Sequence, residues 1–448
     1  MSTTKPHPVQ RPRSGSRWSN WAGNQSSEPR RVVVPGSAGE LGAAVREAAE
    51  AGQPVKAVGS GHSFTAVALT DGVQVRLDRM AGLRRLDREA GTVTVGAGMP
   101  LRTLNQLLAA EGLSLTNMGD IMVQTAAGAV STGTHGTGRD SGSIAAQLRG
   151  MELVLADGTV RRCGPDGDEE ERELFAAARV GLGALGIATE LTFAVEPMFL
   201  LEAREEPMAL DEVLDRFGEL VSDNEHFEFY WFPHTDRTNT KRNNRTEGPR
   251  NPVGRISGFL DDEVLSNGVF EVANRLGRLV PSTIPSIAQL SSRALSARSY
   301  TDEAYRVFTS PRRVRFVEME YALPREAAVE ALREVRAAVE GSGWRISFPV
   351  EVRVAPADDI PLSTASGRDS AYIAVHMYRG TPFREYFEAV EQIMVGHGGR
   401  PHWGKLHSRD AEYLAAAYPR FGEFTALRDR LDPDRRFGNA YLRRVLGS

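Results

Sequence analysis

Apolar and polar positions change their period along the chain, and each change predicts an element. Leu101, Leu104, Leu107 and Leu108 recur at helical spacing before Gly112, which predicts a helix over Leu101–Glu111; a similar stripe predicts one over Ala38–Glu50. Short apolar runs between glycine turns predict strands at Val32–Val34, Val55–Val58, Val73–Leu77, Thr92–Val95 and Glu152–Leu155, the last returning through Asp157-Gly158 as Thr159–Arg161. After Glu196-Pro197 the glycines thin out and the rhythm changes, so a second unit is expected there. Its pattern predicts helices near Leu210–Val221, Gly268–Val280 and Arg325–Glu340, and alternating strands at Val314–Tyr321, Ser347–Val354 and Ala371–Tyr378. Thr235–Arg255 is polar and basic and reads as a long exposed loop. The mixture is that of an α+β protein.

Composition narrows the function classes. With 448 residues two cores are expected, and a net charge of −4 creates no field that would gather nucleic acid. The single cysteine, Cys163, excludes an intrachain disulfide and leaves too few thiolates for a zinc or iron–sulfur centre. The first twenty residues hold no apolar run that could act as a signal-peptide core, and no stretch reaches the roughly 18 to 20 apolar residues that span a bilayer. A soluble, cytoplasmic protein is expected, with peripheral attachment to a membrane as a compatible variation and no integral insertion.

Two glycine-rich segments carry the candidate chemistry. The strand Val55–Val58 runs into Gly59-Ser60-Gly61-His62-Ser63, where glycines allow backbone N–H groups to turn toward a diphosphate. A neutral imidazole at His62 is a competent nucleophile. A turn-capping histidine is the plainer alternative for this motif alone. The second segment runs from Asn117-Met118-Gly119-Asp120 through Thr125 to Gly138, including Gly128, Ser131, Thr132, His135 and Gly136, and is too long for a simple turn. Its small and hydroxyl residues suit a large planar or phosphorylated ligand, against the alternative of a glycine-rich surface loop. A third cluster, Gly181–Gly186, matches the dinucleotide fingerprint but lies between a predicted helix and a predicted strand, the reverse of the required order. It is set aside as a nicotinamide site, although Ile187 beyond it suits an adenine pocket.

Period-two alternation in the second unit sets Glu351 and Arg353 on the face opposite Val350, Val352 and Val354, and puts His376 and Tyr378 together on one face of their strand. A solvated outer face would explain either strand alone. Arg400-Pro401-His402-Trp403-Gly404-Lys405 adds a ring, a flexible point and a cation suited to an anionic flavin edge. His402 and His407 are not spaced for zinc, and no metal site is expected.

With these residues in view, the chain from about Trp21 to its C-terminus resembles the aldonolactone oxidoreductases of the vanillyl-alcohol oxidase flavoprotein superfamily, the L-gulonolactone and D-arabinonolactone oxidase type. The resemblance implies a flexible tail (1–20), an FAD-binding domain of two small α/β subdomains (21–197), a substrate domain on an antiparallel sheet with flanking helices (198–400) and a C-terminal segment completing the flavin site (401–448). Gly59-Ser60-Gly61-His62-Ser63 looks like the family's flavinylation loop, which implies FAD joined covalently through His62. Ser131–Gly138 looks like its second FAD loop. Glu351-Val352-Arg353 resembles the Glu-x-Arg pair facing the isoalloxazine, and His402-Trp403-Gly404-Lys405 the His-Trp-Ala-Lys stretch, with Gly404 as a departure. Leu431–Asn439 is similar to the family's closing segment.

The resemblance implies oxidation of an aldono-1,4-lactone at C2 by hydride transfer to flavin N5. Glu351 would orient the substrate or accept its hydroxyl proton, while Arg353 and Lys405 would stabilise the reduced ring. Gly119 occupies the family position that admits dioxygen, which favours an oxidase over a dehydrogenase using another acceptor. Asp120 stands where relatives often carry serine. An alditol oxidase is the alternative; Tyr378, where alditol oxidases have threonine, narrows the pocket toward a lactone.

Overall fold

The computed structural model describes residues 17–254, 270–310 and 313–448. The first sixteen residues of the expected tail, Arg255 at the end of the expected loop, and Gly268 and Val269 at the start of an expected helix lie outside the described residues.

Two small sheets form the N-terminal part. Arg31–Val33, Val73–Arg76 and Val55–Val58 lie side by side in that order, all parallel, with helix Ala38–Glu50 linking the first strand to the third. Ser37 caps this helix by accepting from the Glu40 N–H, and Leu41, Val45 and Ala48 form its buried stripe. The second sheet is antiparallel, in the order Val160–Cys163, Leu148–Val154, Ile187–Ala194, Thr92–Gly96, Leu83–Asp87. Its hairpin turns at Gly158, whose φ of +77° explains the Asp-Gly pair seen in the sequence. One apolar core joins these sheets to the C-terminal helices Phe421–Leu431 and Ala440–Leu446.

An eight-stranded antiparallel sheet organises the rest, ordered Arg298–Glu303, Leu200–Ala209, Arg237–Thr246, His226–Trp231, Val350–Ala355, Ser370–Tyr378, Phe316–Pro324, Arg400–Pro401. Phe227, Phe229, Val350, Val352, Ile373, Val375, Val317 and Met319 belong to a second core shared with helices Ala328–Ser342 and Arg384–Gly396. Most alternate positions, among them Glu228, Glu318, Glu320, Glu351, Arg353 and His376, are polar and also buried, with His135 and Asp120 of the N-terminal part bonded to Glu320 and Arg353.

Two expectations fail here. Residues Arg237–Thr246 of the expected loop form a strand paired on both edges. Its sequence has no apolar residue, yet Thr238 and Thr240 are buried because their hydroxyls donate to the Met208 and Glu206 carbonyls at 3.1 and 2.8 Å. The helix expected over Leu210–Val221 is two, Leu210–Asp215 and Phe217–Ser222, broken at Arg216, whose ψ of 10° leaves the helical region while its guanidinium binds Glu212 and Glu219. The second glycine-rich segment also contains a helix, Ala126–Ser131, capped by Thr125. No helix of the described residues is long and apolar enough to cross a membrane.

Candidate active site

A cavity of about 540 Å³ opens between the two small sheets, within the range of small-molecule sites. Gly59, Ser60, Gly61, His62 and Ser63 line it from one side; Thr125, Gly128, Ser131 and Thr132 from another; Ile187 from a third. Backbone closeness depends on the glycines. A methyl group at Gly59 would run into Thr125 Oγ1, and Gly61 has a φ of +71°. Ser60 Oγ donates to the Val123 carbonyl, tying the first loop to the second. Gln74 Nε2 and Gln124 Oε1 are buried on the cavity wall with no hydrogen-bond partner among the described residues. Glycine cradles and unpaired amides suit a polar, elongated ligand such as FAD.

Lys56, also on the wall, is fully buried and donates to the carbonyls of Leu182, Gly183 and Phe437. Burial pulls its ammonium down to about 7, only partly offset by Asp432. His62 stacks on Trp21 with ring centroids 5.2 Å apart. Burial, reinforced by the nearby Lys405 cation, holds its pKa down to about 4, so the ring is neutral at neutral pH.

The polar face of the large sheet lies next to these loops. Phe64 N–H donates to the Gly404 carbonyl at 2.7 Å, which brings Lys405 beside the His62 loop. Lys405 Nζ contacts Glu318 at 2.5 Å and lies 4.0 Å from Glu320. Burial opposes its charge, but those carboxylates win and raise it above the ordinary lysine range. Glu318 is correspondingly pulled down to about 2, burial being outweighed by Lys405 and His376. Glu320 also accepts from His135 Nε2 at 2.7 Å, while His135 stacks on Tyr372.

Arg353 sits among three carboxylates: Nε bonds Glu228 at 2.9 Å, and Nη2 bonds Asp120 and Glu351. These three acids come close enough to hold a metal ion, but the guanidinium already binds each of them. Tyr230 donates its hydroxyl to Glu351 at 3.0 Å. His376 Nδ1 lies 3.1 Å from the Pro349 carbonyl, an acceptor only, so this nitrogen carries a proton. Its Nε2 faces Glu318 at 3.5 Å and Glu351 at 4.0 Å.

Of the sequence-derived residues, the structure brings Glu351, Arg353 and His376 onto one buried face and sets the half-buried Lys405 beside it from the loop after Arg400–Pro401. Gly119 lies against Thr134 and His135, and Asp120 reaches across to Arg353. His135 turns its ring toward Glu320, and Gly136 packs its backbone against Met118. Tyr378 stands at the end of its strand, its hydroxyl bonded to Glu271 at 2.8 Å. Trp403 does not reach the cavity: it is fully buried, stacks on Tyr418 and donates to the Leu362 carbonyl, a core residue rather than a ring for a flavin edge. Glu228, Tyr230, Glu318 and Glu320 were not singled out in the sequence, although each alternates with apolar neighbours as Glu351 does.

Comparison with known proteins follows this division. The family model described as D-arabinono-1,4-lactone oxidase matches residues 191–445, and that of an FAD binding domain matches residues 29–164. L-gulono-1,4-lactone dehydrogenase of Mycobacterium tuberculosis is 43% identical over 430 residues, covering 96% of this chain and 99% of that protein. L-gulonolactone oxidase of Bos taurus is 34% identical over 438 residues, covering 96% and 98%. Among solved structures, cholesterol oxidase from B. sterolicum superposes with a TM-score of 0.79 at 17% identity, covering 99% of this chain and 100% of that one, a likeness of fold.

Proposed function

The chain belongs to the D-arabinono-1,4-lactone oxidase family, and from that membership we propose that it is an FAD-dependent oxidoreductase acting on the C2 hydroxyl of an aldono-1,4-lactone of the L-gulono or D-arabinono type. The observation that carries this reading is the meeting of two arrangements. Neutral His62 is part of the wall of the glycine-lined cavity, and its loop is bonded to the one carrying Lys405, beside the buried face that bears Glu351, Arg353 and His376.

When bound, FAD supplies the hydride acceptor. Gly59 to Ser63, Thr125, Gly128, Ser131, Thr132 and Ile187 would hold it, and the uncharged imidazole of His62 is suited to a covalent bond with it. Glu351, fixed by Tyr230 and Arg353, presents its second oxygen toward His376 Nε2. This pair is placed to orient the substrate hydroxyl and take its proton. Lys405 and Arg353 keep their charges because carboxylates surround them, and such fixed cations offset negative charge in a site shielded from water. A methyl group at Gly119 would crowd Thr134 and the His135 carbonyl, so the position favours glycine, the residue that the family resemblance associates with dioxygen as acceptor. The proposal also covers cytoplasmic operation, with membrane contact limited to the protein surface.

The test is anaerobic mixing of the yellow enzyme with L-gulono-1,4-lactone, D-arabinono-1,4-lactone and xylitol. The reading predicts bleaching by a lactone at least about tenfold faster than by xylitol, and hydrogen peroxide once air is admitted. Faster bleaching by xylitol would make the protein an alditol oxidase; bleaching without peroxide on re-aeration would require another acceptor.

A further inference from the structure

His62 is held differently from the other histidines of the site. Among the described residues neither of its ring nitrogens is hydrogen-bonded. His135, His226 and His376 each commit Nδ1 to a backbone carbonyl, of Gly136, Thr137 and Pro349, at 2.8, 2.7 and 3.1 Å. The His62 ring instead lies against the Trp21 indole, the two planes 23° apart. A stack fixes the plane of an imidazole through its face and leaves both nitrogens, which lie on its edge, unengaged.

Trp21 belongs to an N-terminal hairpin whose strands, Trp18–Ser19 and Ser26–Ser27, pair antiparallel. The hairpin is bonded to the His62 loop at three carbonyls. Trp21 N–H donates to Gly61 at 2.8 Å, the Asn20 side chain to Ser63 at 2.9 Å, and those of Asn24 and Gln25 to Phe64 at 2.9 and 3.1 Å. The backbone on both sides of His62 is thereby tied down, and only the stack is left to set its ring. Phe64 and Phe316 stand edge-on to the indole, with centroids 6.4 and 5.4 Å away, so Trp21 cannot turn without displacing them.

We propose that Trp21 is a positioning residue for the covalent attachment of FAD, its indole holding the His62 ring so that a nitrogen lone pair meets the flavin methyl group. This rests on the covalent reading of His62 in the proposed function and adds the residue that makes the bond form quickly. The bond joins a ring nitrogen to the 8α carbon. One hydrogen leaves the imidazole and one the methyl group, two electrons pass with them to the flavin ring, and dioxygen takes both, giving hydrogen peroxide and oxidised flavin. The indole takes no part in the bond. It narrows the orientations open to the imidazole, and a misplacement of about 1 Å can slow a reaction about a hundredfold.

The experiment follows flavin attachment in full-length wild type, Trp21→Phe and Trp21→Ala, each produced in riboflavin-starved cells and then supplied with FAD in air. After acid precipitation, flavin in the pellet is covalent and flavin in the supernatant is not; total FAD bound beforehand reports the cavity. The proposal expects Trp21→Phe to attach FAD within about threefold of the wild-type rate, and Trp21→Ala to bind it as fully but attach it at least about tenfold more slowly. Attachment by Trp21→Ala at the wild-type rate, or by Trp21→Phe as slowly as by Trp21→Ala, would overturn it while leaving the covalent bond in place. Should Trp21→Ala bind no FAD, Trp21→Leu, which fills the space without a flat ring, must attach it at least about tenfold more slowly than Trp21→Phe for the proposal to stand. Flavin found wholly in the wild-type supernatant would remove the covalent reading, and the proposal with it.

Discussion

Removing the Arg353 guanidinium would leave Asp120, Glu228 and Glu351 facing one another without the cation that joins them. Breaking a buried ion pair from one side costs about 3–5 kcal/mol. Arg353→Met is therefore expected to lose that much stability in urea denaturation, while Arg353→Lys keeps a charge and loses less; equal midpoints for wild type and Met would contradict the placement. His402 bears on acid stability. Burial holds its pKa down to about 4, against an ordinary value of 6.5. Between those values the unfolded chain binds the extra proton, so stability falls as pH drops from 6.5 to 4 and levels off below. The effect is on the order of 3 kcal/mol, and His402→Gln should flatten that limb of a stability–pH curve. Glu351 and Arg353 were legible in the sequence because their strand alternates with period two. Glu228, Glu318 and Glu320 follow the same alternation, but a lone carboxylate between apolar residues looks like a solvated face until the layer covering it is known.

At the scale of elements, Arg237–Thr246 separates the reading of the sequence from the fold. Ten residues without an apolar side chain read as a loop, because propensity and hydrophobic period are local, whereas the strand is held by pairing: on one edge with His226–Trp231 across a short hairpin and on the other with the more remote Leu200–Ala209. The glycine turns and amphipathic helices were legible because their determinants sit within a few residues: the stripe of Leu41, Val45 and Ala48 in Ala38–Glu50, and Gly158 in its hairpin. The strand yields its own test. Thr240 pairs with Glu206 on one side and Phe229 on the other, so Thr240→Pro removes a ladder donor from the sheet interior and should cost about 1–3 kcal/mol. In an exposed loop the same change would leave the thermal midpoint unmoved.

Across the whole molecule, the C-terminal segment fastens the cofactor-side sheets. Val55 N–H donates to the Arg436 carbonyl at 2.7 Å, and Asn439 donates to the carbonyls of Ala66, Val67 and Leu69 while capping the last helix. Loss of a cap and of buried donors makes Asn439→Ala cost about 2–4 kcal/mol, with flavin retention on gel filtration falling in parallel. The resemblance pointed to Leu431–Asn439 as the closing segment, but not to the residues it fastens, since its partners are more than 350 residues away. The large sheet faces the same loops from the other side through Gly138 N–H on the Val354 carbonyl and Asp120 on Arg353. Everything in the account requires that these parts close around one flavin with His62 at its edge. Mass spectrometry of peptides from acid-denatured wild-type protein tests this directly. The account predicts that the peptide containing His62 is heavier by one FAD and that His62→Ala carries none. An unmodified His62 peptide from a colourless precipitate would contradict it.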